Sequence, residues 1–135
     1  MVNRLRQLGS LLALLAVGFV LAAGTASAEV APQRVVSMNV CTDQLAMLLA
    51  GEGQLHSVSF LATDPSASAM PVRAKAFPAN RARAEEIFLM KPDLVVTGSF
   101  SNRDTVPMLR RLGIRVETFP LANSFDDIRT NLRRM

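Results

Sequence analysis

The segment from Ala84 to Ser99, AEEIFLMKPDLVVTGS, constrains the fold most because it combines a short helix, a stop signal and an apolar strand. Glu85 and Glu86 favour the first turn of a helix, where unpaired backbone N–H groups attract negative charge. Pro92 cannot continue that helix, and its ring excludes Lys91 from the helical region. The sequence therefore predicts a short helix that ends before the proline.

An uninterrupted apolar and β-branched run, Leu94–Thr97, follows this helix. Such a run is typical of a strand that is covered on both faces, as strands are in a parallel sheet. Gly98 and Ser99 end the strand. Because ligand-facing loops in such sheets follow the carboxyl ends of the strands, we expect residues 98–101 to be functional.

The N-terminus predicts export. Two arginines precede the apolar run Leu11–Ala23, and small residues occupy positions 26–28, as signal peptidase requires. We therefore predict a signal peptide over residues 1–28, with cleavage after Ala28. The alternative is a membrane-anchoring helix, which is disfavoured because the apolar run is shorter than the roughly 20 residues that span a bilayer.

The remaining residues, 29–135, suffice for one small domain with a hydrophobic core. The whole chain carries a formal net charge of +4, and its basic pairs, Arg81/Arg83 and Arg110/Arg111, are scattered without aromatic residues between them. This pattern indicates solvated surfaces and argues against nucleic-acid binding. The single cysteine of the sequence excludes an internal disulfide.

Strand-like and helix-like segments alternate along the rest of the chain. The predicted strands are Arg34–Ser37, Leu55–Ser59, Leu94–Thr97 and Ile114–Phe119. The predicted helices are Thr42–Ala50, a helix from Ala84, a helix from about Thr105 to Leu112, and a last helix after Ser124. Strand–helix alternation with right-handed crossovers predicts an α/β fold, a Rossmann-like parallel sheet flanked by helices.

The first predicted helix has two candidate caps, Asn39 and Thr42, and both alternatives stay open. The stripe at helical spacing that predicts its buried face consists of Leu45, Leu48 and Leu49. Further along, Ser124 is the predicted cap of the last helix, with Asp127 as a capping-box acid. The segment Phe60–Arg83 is rich in Ala, Pro and Ser and predicts a long loop with about one helical turn.

Sequence motifs for phosphate binding, acyl transfer or metallopeptidase chemistry are absent. His56 is the sole histidine, and its position in the second predicted strand favours a structural or surface role. Cys41 stands at the first strand–helix junction, where a helix N-terminus could lower the pKa of its thiol. Packing is the favoured role for Cys41, and an exported redox enzyme is the less favoured alternative. We therefore predict a non-enzymatic protein.

Three segments, RVVSMNVCTDQLAMLLA, AEEIFLMKPDLVVTGS and MLRRLGIRVETFP, together resemble the first lobe of a periplasmic solute-binding protein. The family is the iron-siderophore, haem and cobalamin class, which feeds ABC importers of metal chelates. The resemblance covers Arg34–Arg134. It rests mainly on the R-x-V-S opening and on the E-E-I-x-x-x-K-P-D-L-V element.

The resemblance implies two Rossmann-like lobes joined by one long helix, with the ligand in the cleft between them. The helix after Ser124 resembles the start of the joining helix. Residues 29–135 are therefore expected to be the N-terminal lobe, in a truncated form. The class also implies a periplasmic location, which agrees with the predicted signal peptide.

By the same resemblance, the loops after the strands face the ligand. Phe60 and Phe100 would supply apolar contacts, and Asn39 and Ser99 would supply hydrogen bonds. The full predicted set is Asn39, Val40, Cys41, Phe60, Leu61, Asn80, Gly98, Ser99 and Phe100. The alternatives are core packing for the two phenylalanines, a helix cap for Asn39 and a turn for Ser99.

The implied ligand is a metal chelate, and the implied protein partner is an ABC permease dimer served by a monomeric binding protein. Metal is expected only inside the chelate, without a cofactor or metal site of the protein's own. Relatives carry an acidic residue that pairs with importer arginines where this chain has Arg73 and Lys75, and the chain lacks Trp and Tyr. The alternatives are a vestigial fragment that binds no ligand and an exported single-domain protein of unknown role.

Overall fold

The computed structural model of the chain describes residues 30–135, whose strands form one parallel sheet. The strands are β1 (Val35–Ser37), β2 (Leu55–Ser59), β3 (Ala79–Asn80), β4 (Leu94–Gly98) and β5 (Val116–Phe119). They are arranged in the order β3-β2-β1-β4-β5, and every neighbouring pair is parallel. The predicted α/β fold with a Rossmann-like parallel sheet is confirmed. The predicted signal peptide lies outside the described residues.

Helices connect successive strands. They are α1 (Val40–Leu49), a 3₁₀ helix (Phe60–Thr63), α2 (Pro71–Ala74), α3 (Ala84–Leu89), α4 (Thr105–Arg111) and α5 (Phe125–Arg134). The predicted helix from Ala84 therefore ends before Pro92, as expected. None of the helices between residues 30 and 135 has the length and apolarity that a membrane crossing needs.

Two apolar cores form because alternate residues of the central strands point to opposite faces of the sheet. Val35 and Val96 pack on the face that α1 covers, whereas Val36 and Val95 pack on the face that α3 and α4 cover. Residues Leu94–Thr97 are all buried, which confirms that this run forms a strand covered on both faces.

Asn39 is the cap of α1: its side-chain Oδ1 accepts a hydrogen bond of 3.0 Å from the Cys41 N–H. This contact settles the choice between the two candidate caps. The Thr42 hydroxyl is buried instead, and it donates to the Asn39 carbonyl at 2.9 Å. The first turn of α1 is therefore fixed by side-chain hydrogen bonds, as helix N-termini require.

The other predicted helix ends are also observed. Lys91, before Pro92, adopts φ 51°, outside the right-handed helical region. Gly113 follows the C-terminal end of α4 and has a φ of 80°, a value that glycine adopts without strain. The Ser124 Oγ accepts a hydrogen bond of 3.1 Å from the Asp127 N–H at the start of α5.

The segment Phe60–Arg83, predicted as a long loop with about one helical turn, has more regular structure than that. It contains a 3₁₀ helix, α2 and the edge strand β3, which pairs with the end of β2. With two residues, β3 is too short to show the alternation of polar and apolar residues that reveals a strand.

The predicted buried face of α1 is wrong. Leu48 and Leu49 are 58% and 48% exposed, and the residues that face the sheet are Thr42, Asp43, Ala46 and Met47. Helical periodicity favoured the leucines, but hydrogen bonds of the polar residues in the first turn to the strand ends set the rotation of the helix. On α5 the apolar side chains of Phe125, Ile128 and Leu132 are also exposed, at 82%, 42% and 37%.

Asn80, the last residue of β3, is completely buried and joins three strands. Its Nδ2 lies 2.8 Å from the Ser37 carbonyl of β1, and 2.9 Å from both Ser57 Oγ and the Val58 carbonyl of β2. Its Oδ1 accepts from the Ala82 N–H at 3.1 Å. The amide is thus hydrogen-bonded within the fold, which gives Asn80 a structural role, and its predicted ligand contact stays a prediction.

We expect Asn80→Ala to lower the free energy of unfolding by about 3 kcal/mol, because buried acceptors and a buried N–H lose their partner. Urea unfolding followed by circular dichroism measures this change. Asn123→Ala is the matched control, since Asn123 is exposed and uses its backbone N–H, which alanine keeps, to contact Asp127. Equal losses in the two variants would contradict the structural role of Asn80.

Candidate functional site

The candidate site lies where the strand order reverses. The chain runs from β1 outward to β2 and β3, and then returns to place β4 on the other side of β1. In open α/β sheets, ligands bind at the carboxyl ends of the strands that flank such a switch point. The segments after β1 and β4 are therefore the first candidates for ligand contact.

A hydrogen bond bridges these two segments. Asn39, after β1, donates from Nδ2 to the Ser101 Oγ, after β4, at 2.8 Å. Because its Oδ1 caps α1, Asn39 holds the helix and the opposite loop at the same time. We call this contact the Asn39–Ser101 bridge. The prediction that Asn39 lies at the site and the alternative that it caps the helix are both consistent with this geometry.

Gly98 leaves room for the bridge. A Cβ atom at this position would lie 3.3 Å from the Cγ and Nδ2 of Asn39 and 3.3 Å from the Ser101 Oγ. These distances are tighter than ordinary van der Waals contact, so Asn39 and Ser101 would have to shift by a few tenths of an ångström to admit a side chain. The absence of a side chain at the end of β4 therefore favours the bridge.

Asn102 adds a second tie across the switch point. Its Nδ2 donates to the Met38 carbonyl at 3.1 Å and to the Thr97 Oγ1 at 3.2 Å. Its φ of 55° is in the left-handed region, which asparagine tolerates better than most residues. Ser101 lies within residues 98–101, which the sequence predicts to be functional, whereas Asn102 lies one residue beyond them. The position of Asn102 just after a predicted strand end is the available signal.

A large groove of about 450 Å³ lies on the α1 and α5 side of the bridge. Five of the predicted residues line it, namely Asn39, Cys41, Gly98, Ser99 and Phe100. Leu45, Leu121 and Ile128 also line it and were not predicted. These three bring apolar side chains to the groove from α1, from the segment after β5 and from α5.

A small groove of about 180 Å³ lies on the other side of the bridge, toward β2 and β3. Its predicted members are Asn39, Val40, Phe60, Leu61 and Asn80. Together the two grooves contain all nine predicted residues at one edge of the sheet, and Asn39 and Ser101 line both. Arg81 and Asn102 line the small groove and were not predicted.

The two predicted aromatic contacts are exposed. Phe60 is 45% exposed and Phe100 is 71% exposed, so core packing does not account for either residue. An arginine lies over each ring: the Cζ of Arg81 is 5.2 Å from the Phe60 centroid, and that of Arg103 is 6.0 Å from the Phe100 centroid. Sequence spacing could not reveal the first pair, because pairing between β2 and β3 creates it.

A buried aspartate side chain is hydrogen-bonded to the end of β2, next to the candidate site. Asp43 of α1 is fully buried, and its two oxygens accept from the Ser59 N–H at 3.0 Å and from the Ser59 hydroxyl at 2.5 Å. Burial raises the pKa of Asp43, and hydrogen bonds from Ser37 and Ser59 partly offset that rise. Because Ser59 precedes Phe60, Asp43 fixes the start of the 3₁₀ helix that carries this exposed ring.

His56 and Cys41 lie at opposite ends of the parallel strands. His56 is near the start of β2, whereas Cys41 follows the end of β1. His56 Nε2 lies 2.8 Å from the Arg34 Nη2, and partial burial and the Arg34 charge lower its pKa. Cys41 is exposed. Within residues 30–135 no three His, Cys, Asp or Glu side chains are placed to hold a metal ion.

The chain is similar to known proteins in its structure. No protein-family model and no curated protein sequence matches the chain. Among solved structures, a periplasmic heme-binding protein from Pseudomonas aeruginosa matches with a TM-score of 0.61 and 25% identity. The match covers 76% of this chain and 37% of that protein. The chain resembles periplasmic solute-binding proteins.

Two further solute-binding proteins show the same similarity. The periplasmic vitamin B12-binding protein of Vibrio cholerae matches with a TM-score of 0.57 and 25% identity, over 74% of this chain and 38% of that one. A periplasmic heme-binding protein from Roseiflexus sp. RS-1 matches with a TM-score of 0.54 and 25% identity, over 65% and 34%. The chain thus spans little more than a third of the length of the solute-binding proteins that it matches.

We expect Gly98→Ala to lower the free energy of unfolding by about 1–2 kcal/mol, because the new methyl group displaces the Asn39–Ser101 bridge. Urea unfolding measures the change. Gly51→Ala is the control, since a Cβ there meets its nearest neighbour, Gln54 Oε1, at an ordinary 3.8 Å. Equal effects in both variants would show that the bridge tolerates a side chain at position 98.

We expect Asp43 to make stability fall as pH rises. The pKa of folded Asp43 is raised from 3.8, so the native state retains a proton that the unfolded chain releases. Its contribution is greatest below pH 3.8 and is lost as pH rises through the folded pKa. The unfolding free energy of the native protein should therefore decline, relative to Asp43→Asn, as pH increases from 4 to 8.

The opposite sign is expected at an exposed aspartate, which serves as control. Hydrogen bonds from Ser66 lower the pKa of Asp64, so its contribution is present above pH 3.8 and is lost as pH falls. Urea unfolding of Asp43→Asn and Asp64→Asn at each pH measures both trends. Parallel trends in the two variants would contradict the role of burial at Asp43.

Proposed function

We propose that residues 29–135 form the N-terminal lobe of a solute-binding protein that delivers a metal chelate to an ABC importer. The proposal is supported by the structural relatives, which match the fold of this chain and are named for heme or vitamin B12. Because the chain spans little more than a third of their length, the complete transport role is part of the proposal.

One observation carries the proposal most directly, namely the exposure of Phe60 and Phe100 at the ligand-binding edge of the sheet. A large apolar side chain in water is unfavourable, and burying it against a ligand gains roughly 1.5–3 kcal/mol. The two rings lie on loops that the Asn39–Ser101 bridge and Asp43 hold in place. This arrangement suits a ligand with a sizeable apolar ring system, such as a porphyrin, a corrinoid or an aromatic siderophore.

We propose that the protein binds without catalysis. The structural relatives are binding proteins, and the His56 and Cys41 side chains are at opposite ends of the parallel strands, where they cannot act together. Cobalt or iron would arrive already bound in the chelate. The proposed signal peptide places this binding in the periplasm.

The proposed protein partner is the importer's permease dimer, with this protein acting as a monomer. The short helix α2 exposes Arg73, and Lys75 follows it, also exposed. A permease that docks on α2 would therefore need an acidic surface, because complementary charge guides such encounters. Any such docking would use charges opposite to those of the relatives.

Equilibrium dialysis of the chain against an iron porphyrin, cobalamin and a ferric siderophore tests the proposal. We expect saturable binding to at least one of them. Phe60→Ala and Phe100→Ala should each weaken that binding about tenfold, because each ring loses roughly 1.4 kcal/mol of buried contact.

Phe88→Ala is the matched control, since Phe88 is half-exposed on α3 and lines neither groove. Its affinity should equal that of the unaltered chain. Lack of saturable binding to any of the chelates would refute the proposed function. Equal weakening by Phe88→Ala would show that the two grooves are not where the ligand binds.

A further inference from the structure

Each groove carries one aromatic ring with an arginine over it. Arg81 covers Phe60 at 5.2 Å beside the small groove, and Arg103 covers Phe100 at 6.0 Å beside the large groove. These distances are within the range of cation–π attraction. The two pairs come from different strand ends, so one apolar-plus-cationic element is repeated on both sides of the Asn39–Ser101 bridge.

The position of Arg81 is held by its neighbours. Its backbone N–H donates to the Glu86 carboxylate at 2.8 Å. The next residue, Ala82, has a φ of 55°, which is strained for a residue with a side chain. Ala82 is held there by Asn80 Oδ1, which accepts from its N–H at 3.1 Å, and by the Thr105 hydroxyl, which donates to its carbonyl at 2.9 Å. Strain maintained in this way favours a functional position for the guanidinium.

The two guanidinium charges lack a carboxylate partner within residues 30–135. The ion pairs of the described chain involve Arg115, Arg129 and Arg134. Of the described residues that line the two grooves, none is acidic. Asp43 beneath the site is buried and hydrogen-bonded to Ser59, and Glu86 accepts from a backbone N–H. The two guanidinium groups therefore bring to this end of the sheet positive charge that no salt bridge within residues 30–135 engages.

We propose that the two Arg–Phe pairs select a chelate whose periphery carries carboxylates, in preference to a neutral chelate of the same shape. This inference rests on the proposed function and specifies its ligand class. The phenylalanine rings contact the apolar ring system, and the guanidinium groups contact the carboxylates at its edge. Arginine suits this task because its planar fork donates two parallel hydrogen bonds to one carboxylate.

A neutral chelate gains only the apolar contact at these grooves. A cationic chelate meets the like charges of the two guanidinium groups. Discrimination therefore depends on charge at the periphery and weakens as salt screens it. The metal itself does not enter this selection.

The sharpest test compares iron protoporphyrin, which carries two carboxylates, with its dimethyl ester, which has the same ring and neutral side chains. We expect the full chain to bind the diacid at least tenfold more tightly than the diester at low salt. The ratio should shrink as ionic strength increases. Cobalamin is included as a neutral chelate of another shape.

Arginine variants test which side chains produce the preference for the diacid over the diester. Arg81→Gln and Arg103→Gln should each weaken diacid binding about fivefold and leave diester binding within twofold. Arg81→Lys keeps the charge and should preserve most of the preference. Arg111→Gln removes an exposed charge on α4 that lines neither groove, and it should bind both porphyrins like the unaltered chain. Circular dichroism checks that each variant remains folded.

The outcomes separate this inference from the function on which it rests. Equal affinity for diacid and diester, a preference for cobalamin, or an equal effect of Arg111→Gln overturns the charge selection and leaves the proposed function standing. Absence of binding to both porphyrins, to cobalamin and to a ferric siderophore overturns both.

Discussion

The hydrogen bond between the Asn39 amide and the Ser101 hydroxyl joins the loops that follow the two central strands of the sheet. It connects the cap of α1 to the end of β4, so one side chain fixes a helix and the opposite loop together. The absence of a side chain at Gly98 favours this contact. The bridge separates the two grooves. Phe100 lines the large groove on one side of it, and Phe60 lines the small groove on the other.

The buried residues change from apolar to polar along the strands, toward the bridge. The amino-terminal part of the sheet is packed with aliphatic residues, whereas its carboxyl end is lined by buried polar side chains, namely Ser37, Thr42, Asp43, Ser57, Ser59, Asn80 and Thr97. Within the described residues, no buried side-chain nitrogen or oxygen lacks a hydrogen-bond partner. A fully satisfied polar network is directional, unlike an apolar core, so it sets the orientation of the loops above it. Hydrogen bonds therefore fix the loops at the carboxyl end of the sheet.

Local sequence signals predicted the features that depend on local physics. The β-branched run at Leu94–Thr97 and the stop at Pro92 followed from backbone sterics and burial. Sequence could not predict features that arise only when distant residues meet. The strand β3 has two residues and forms because β2 offers it an edge, and α1 turns its leucines outward because Asp43 bonds to Ser59. For the candidate site, strand-end logic and family resemblance selected residues that the structure brings together at the carboxyl ends of the strands. The hydrogen bonds of buried Asn80 and the contact of Arg81 with Phe60 arise only from the pairing of β2 with β3.

The edges of the sheet have a consequence for the behaviour of the protein at high concentration. An exposed strand edge is a template to which another chain can add a strand, and long regular edges promote aggregation. Here one edge is β3, which has two residues, is preceded by a proline and is followed, after Arg81, by an alanine in the left-handed region. The other edge, β5, is short and carries Glu117 in an ion pair with Arg134. Neither edge therefore offers a long regular template for intermolecular strand pairing.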